Sequence, residues 1–258
     1  WEAANFRSQG EAYLAASRRT GSPVRRQEYL RRAETAFGRA RVLDPLGPDN
    51  HVNLARLARW RAELTRTPAV ALREADEASR HYAAAARLFP ANTLLLNEWA
   101  ELDFLRRRDF AAAEEKLRRS LRLDPSFDYT YAALGDMYMA RAKAAVGDPR
   151  EDYRRAADAY AQAWERRRSL KAVVSLGLAY ERLGEKEKAV DAYNRALGMN
   201  PPHETAWAIH EQLAGLYLAF GNRQEAERHA RDALGSSPER ERATLLERLR
   251  SAGLVTGG

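Results

Sequence analysis

Apolar and small residues recur along this chain at steps of three and four, with charged residues between them. The clearest run is 175–201. There Leu176, Gly177 and Tyr180 share one helical face, and Ala189, Tyr193 and Ala196 share another. Gly184 and Glu185 break the chain between the two faces, and Asn200-Pro201 closes the second. The pattern predicts two helices joined by a tight turn. They cross where Gly177, Ala189 and Ala196 leave room, while Leu176, Tyr180 and Tyr193 fill the space around them. One such pair cannot bury its apolar face alone, so copies must stack.

Five further copies are legible. In 1–47, Phe6, Gly10 and Tyr13 precede Ala33, Phe37 and Ala40, with a turn at Thr20-Gly21-Ser22-Pro23. In 48–92, Leu54, Ala55 and Ala58 precede Ala78, Tyr82 and Ala85. The copy at 93–127 has Trp99 and Ala100, then Ala113, Leu117 and Ser120. Asp103 stands where an aromatic is expected, with Phe104 beside it to fill the gap. In 128–169, Leu134, Gly135 and Tyr138 precede Ala156, Tyr160 and Ala163; the run in 175–201 belongs to the copy at 170–203. In 204–238, Leu213, Ala214 and Tyr217 precede Ala226, Ala230 and Ala233. Leu245, Leu246 and Leu249 then form one stripe on a polar-backed helix, predicted over 239–251 as a cap, and 252–258 reads as a frayed tail. The copies at 1–47, 48–92 and 128–169 have longer connections. These predict extended helices whose extra turns form a ridge.

The order Leu-Gly-x2-Tyr, Ala-x3-Tyr, small residue and closing Pro in 175–201 resembles the tetratricopeptide repeat (TPR). The resemblance implies an all-α, right-handed superhelical solenoid over 1–258, made of six helix-turn-helix repeats and a capping helix. It also implies a protein-interaction scaffold, with an extended peptide or a partner helix held in a concave groove lined by the first helix of each pair. First-helix residues not used in packing are then the candidates: Arg7, Glu11, Val52, Arg56, Arg59, Trp60, Asn97, Glu101, Phe104, Tyr129, Asp136 and Met139. Arginine suits carboxylates, asparagine suits backbone amides, and aromatics serve as anchors. Trp60 has a second reading, as packing within its own long helix.

One TPR subclass clamps the C-terminal carboxylate of chaperones. Its positions fall here on Arg7, Glu11, Asn53, Leu94 and Glu98, where Glu11 and Glu98 would repel the ligand and Leu94 offers it nothing. The long helices, with Asp44-Pro45-Leu46 and Asn97-Glu98-Trp99-Ala100, also look similar to C-terminal TPR regions of bacterial membrane proteins of the O-antigen ligase/polymerase type. That resemblance implies an appendage that organises partners while catalysis lies elsewhere. The chain opens on Trp1 rather than Met, so we expect a preceding segment in the parent protein.

Composition narrows the chemistry. The 258 residues are 45% hydrophobic and 31% charged, a mix suited to amphipathic helices, and no run is apolar enough for a membrane span. Without cysteine there is no disulfide, thiolate metal site or thiol nucleophile. The formal charge of +7 and the runs Arg106-Arg107-Arg108, Arg118-Arg119, Arg154-Arg155 and Arg166-Arg167-Arg168 raise a nucleic-acid or anionic-surface reading. Interleaved acids such as Glu114-Glu115 and Glu151-Asp152 favour solvated helix faces instead. The five histidines, His51, His81, His203, His210 and His229, form no ligand pair at one-turn spacing, and no nucleophile elbow or phosphate loop is present. The reading is therefore a non-enzymatic scaffold with a protein partner, no cofactor and no metal.

Overall fold

The computed structural model describes residues 1–255. Among them every regular element is a helix, and no helix is long and apolar enough to cross a membrane. The helices are α1 (Glu2–Arg19), α2 (Pro23–Leu43), α3 (Pro48–Leu64), α4 (Pro68–Leu88), α5 (Thr93–Leu102), α6 (Phe110–Leu123), α7 (Asp128–Lys143), α8 (Pro149–Arg166), α9 (Leu170–Leu183), α10 (Lys186–Leu197), α11 (His203–Ala219), α12 (Arg223–Ser236) and α13 (Glu239–Ser251). One π-helical turn, Asp103–Arg107, prolongs α5. The chain divides into two compact units, Trp1–Ala133 and a second from Leu134 onward, with the boundary inside α7.

Local chemistry explains where the helices start and stop. Pro23, Pro48, Pro68 and Pro149 each open a helix, where a missing N–H costs nothing. Side chains of Ser22, Asn92, Asp109, Ser169 and Asn222 accept from backbone N–H groups in the first turn that follows. Gly184 ends α9 with φ of 81°, a left-handed conformation that a side chain would strain. The copy at 170–203 ends its second helix earlier than expected. α10 stops at Leu197, and Asn200 takes φ of 51° before Pro201. The second helices differ in length as the turn spacing predicts: α2 and α4 have 21 residues and α8 has 18, against 14, 12 and 14 for α6, α10 and α12.

Helices pack against their neighbours in sequence, as α1 does with α2, α3 with α4 and α11 with α12. The closest approaches fall at glycine. A Cβ built on Gly10 would sit 2.4 Å from the Phe37 ring, one on Gly135 2.5 Å from Tyr160, and one on Gly177 2.7 Å from Tyr193. The aromatic ring of the second helix therefore packs directly against the backbone of the first. Where the second helix carries Ala230 instead, Ala214 replaces the glycine and Trp207 and Tyr217 pack against the cluster.

Two expectations change. In α5, Asp103 is fully buried and held by Arg107 Nη1 and Lys116 Nζ, each at 2.8 Å, while the π turn brings Phe104 into the core. At the C-terminus, Leu254 is buried with Leu245 and Leu249 against α12, and Leu254 N–H donates to Leu249 O at 2.9 Å. Its apolar side chain, following the left-handed Gly253, ties the end down where a frayed tail was expected. Residues 256–258 of that expected tail lie outside the described residues.

Candidate functional site

The first unit holds a trough of about 700 Å³ lined by the first helix of each pair. α1 contributes Glu11, Leu14, Ala15 and Arg18; α3 contributes Asn53, Arg56, Arg59, Trp60 and Glu63; α5 contributes Glu98 and Glu101; and Tyr129 comes from the start of α7. Positions 53, 56 and 59 fall three apart along one face of α3, as 98 and 101 do on α5.

The wall is cross-linked by polar pairs that join residues 42 apart. Asn53 Nδ2 donates to Glu11 Oε1 at 2.9 Å. Arg56 donates through Nε and Nη2 to both oxygens of Glu98, at 2.9 and 2.5 Å. Arg59 Nη2 donates to Glu101 Oε2 at 3.0 Å. Two tyrosines add donors to the same glutamates: Tyr82 OH donates to Glu98 at 3.1 Å, and Tyr129 OH donates to Glu101. The Glu98 and Glu101 side chains are only 14% and 16% exposed, so these contacts are only partly screened by solvent. Burial opposes the charge of Arg59, but Glu101, Tyr82 and Glu63 outweigh it and hold its pKa above the ordinary arginine value. Burial, reinforced by Glu101, pushes the Tyr129 hydroxyl up. Arg18 lies over the Trp60 ring at 5.5 Å, and Trp60 Nε1 is buried without an acceptor.

The trough gathers six of the candidates: Glu11, Arg56, Arg59, Trp60, Glu101 and Tyr129. It excludes the others. Val52 and Asn97 immediately precede Asn53 and Glu98, and one residue is about 100° of helix rotation, which turns them inward. Val52 joins the core with Tyr82 and Leu95, and Asn97 Nδ2 donates to Thr130 Oγ1 at 2.8 Å in a fully buried position. Phe104 is carried inward by the π turn, and Met139 is buried in the second unit. Arg7 approaches Asp44 and Asp49 at 3.8 and 3.9 Å. Asp136 accepts from Tyr160 OH and Lys171 Nζ, both at 2.7 Å, also in the second unit. Trp60 serves both expectations at once, packing against the cluster of Leu14, Leu30 and Leu57 while it lines the trough.

Leu14, Ala15, Arg18, Asn53, Glu63 and Glu98 were not among the candidates. Their signal was helical spacing from the candidates: Leu14, Ala15 and Arg18 stand three, four and seven after Glu11, Asn53 three before Arg56, Glu63 four after Arg59, and Glu98 three before Glu101. The arginines also differ from expectation in role. Arg56 and Arg59 are engaged by glutamates of the next first helix, so they are not vacant hooks for a ligand carboxylate.

Three of the four basic runs are similarly occupied at most of their arginines, while in 166–168 Arg166 donates to Gln162. Arg106 approaches Glu63 at 3.8 Å, Arg107 bridges Asp76 and Asp103, Arg118 pairs with Glu114, and Arg154 and Arg155 share Glu151.

Comparison with known proteins agrees with this architecture. The tetratricopeptide repeat profile matches residues 170–203. This is a tetratricopeptide-repeat fold. Among solved structures, the TPR chain resembles PilW, a type IV pilus biogenesis factor, with a TM-score of 0.67 at 15% identity over 95% of this chain and 98% of that one. It resembles PilF of Pseudomonas aeruginosa with a TM-score of 0.62 at 14% identity, over 95% and 99%. A thermophilic TPR protein of Thermus thermophilus gives 0.54 at 24% identity, over 81% and 100%. At these identities the likeness is one of fold. No curated protein sequence matches this chain.

Proposed function

We propose that the chain is a protein-interaction scaffold whose first-unit trough receives an extended peptide, without catalysis of its own. The observation that supports this most is the trough itself. Arg56 and Arg59 are already paired with Glu98 and Glu101, so these positions are not built to neutralise a single free charge. Its walls still offer unused hydrogen-bonding capacity. A guanidinium has five N–H groups, and the pair with Glu98 uses two of those of Arg56. A peptide backbone supplies matching acceptors and donors along its length, and Trp60 with Tyr129 offers aromatic surface for one or two side chains.

Selection of binders from a random-peptide display library against the full chain tests the reading. Recovered peptides should lose at least tenfold in affinity when Glu11 and Glu63 are both reversed to lysine, with helical circular dichroism retained. Peptides that bind the variant equally well would place the site elsewhere. The pairing of most arginines in the basic runs also predicts little binding of unrelated oligonucleotides even at low salt. Binding that is tight at low salt and falls steeply as salt rises in a filter assay would revive the nucleic-acid reading.

A further inference from the structure

We propose that His210, His229 and Asp232 form a binding site for a divalent d-block cation, with Zn²⁺ the best match. The site lies in the second unit, is independent of the trough and draws on two helices. His210 is on α11; His229 and Asp232 stand three apart on α12. The two Nδ1 atoms are 2.8 Å apart, and Asp232 Oδ2 is 3.9 Å from His210 Nδ1. One ligand atom from each residue falls within 4.8 Å of the others. Zinc bonds of about 2.0–2.1 Å in a tetrahedron set ligand atoms about 3.3 Å apart. That spacing lies between the two observed, and the remaining pair lies within 4.8 Å, so side-chain adjustments of about 1–2 Å close the site. Two imidazoles and a carboxylate suit zinc, and they leave a fourth position for water or a partner's ligand.

The surroundings hold the ligands ready. Tyr217 stacks on His229 at 5.4 Å with an interplanar angle of 6°, which sets the plane of the ring. Arg228 Nη2 is 3.0 Å from His229 Nε2. Arginine can only donate, so Nε2 accepts, and the His229 proton sits on Nδ1, facing His210. Arg228 Nη1 is also 3.6 Å from Asp232, so the guanidinium supplies the positive charge that a bound cation would bring. For the cation to enter, the Nδ1 proton leaves to solvent. Arg228 swings onto Glu225, with which it already pairs at 2.6 Å, and Nε2 takes up a proton. The exchange is balanced, and it makes Arg228 a competitor of the metal.

A second histidine pair provides an internal control. His51 and His81 hold the same repeat positions, three before Leu54 and one before Tyr82, as His210 and His229 hold before Leu213 and Ala230. Their Nδ1 atoms are 3.3 Å apart, but the neighbouring carboxylate, Glu77, sits 3.2 Å from His81 Nε2, away from the shared Nδ1 side.

Zinc chloride titrated calorimetrically into the untagged full chain at neutral pH should show one ion bound per chain. Affinity should fall at least tenfold in His210→Ala and in Asp232→Asn, rise severalfold in Arg228→Gln, and stay unchanged in His51→Ala. His229 is buried and its removal risks unfolding, so the partly exposed His210 and Asp232 carry the test. With Co²⁺ as the probe, visible absorption of tetrahedral intensity should appear and be lost in His210→Ala. No Zn²⁺ uptake by the wild type, uptake indifferent to His210→Ala, or equal loss in His51→Ala would each overturn the proposal.

Discussion

Gly10, Gly135 and Gly177 each face an aromatic ring at a distance where even a methyl group collides. The rings are packed on all sides, so the collision cannot be relieved by swinging a flexible chain end. Gly177→Ala should therefore cost about 1–3 kcal/mol in urea denaturation, from overpacking against Tyr193. Gly215 in α11 has open space around its Cβ position, so Gly215→Ala should instead stabilise by up to about 1 kcal/mol through helix propensity. Equal effects at the two sites would show that helix propensity, not ring contact, governs both. Asp103 is the other sensitive residue. Asp103→Ala leaves Lys116 and Arg107 without their shared buried acceptor and should cost about 3–5 kcal/mol in the same assay. A loss under about 1 kcal/mol would mean that the two cations reach solvent readily.

At the scale of helices, proline and capping residues made most starts legible, because their effects are local and independent of packing. The end of α5 was not. Phe104 fills the gap beside Asp103 as expected, but the π turn that carries it inward and the two cations that hold the buried aspartate are seen only in the structure. The last helix illustrates a different dependence. α13 and the segment after it cover Ala226, Ala230 and Ala233 with Leu245, Leu249 and Leu254. Removing a fully buried leucine leaves a cavity, so Leu245→Ala should lower stability by about 2–5 kcal/mol. An unchanged thermal midpoint would show that α13 is not needed as a cap.

Across the whole molecule, charge is organised mainly by pairing, and this sets its response to acid. His229 titrates at about 4 in the folded chain, chiefly through burial, with Arg228 and His210 adding to the effect. A free imidazole titrates near about 6.5. Between these values the unfolded chain binds a proton that the folded chain refuses. The stability contributed by His229 is complete above about pH 6.5 and is lost as pH falls toward about 4. His51, His81 and His210 are lowered in the same direction, each first by burial. Thermal melts in the presence of a chelator should fall from about pH 7 to about pH 4.5, and fall less steeply in His210→Gln, which removes an imidazole also lowered by burial. A flat profile would show that the imidazoles take up protons freely in the folded state.

The sequence by itself determined the helices, their pairing and the small-against-aromatic crossings. Each of these depends on neighbours within one hairpin and on a period of about 3.6 residues. Six of the first-helix residues it offered as candidates line the trough. Tertiary structure decided which side of each first helix is open, since one residue of offset separates the buried Asn97 from Glu98 in the wall. Packing alone also joined Arg56 to Glu98 across 42 residues and His210 to His229 across 19. No local period encodes such pairs, because they exist only once one helix is laid beside another.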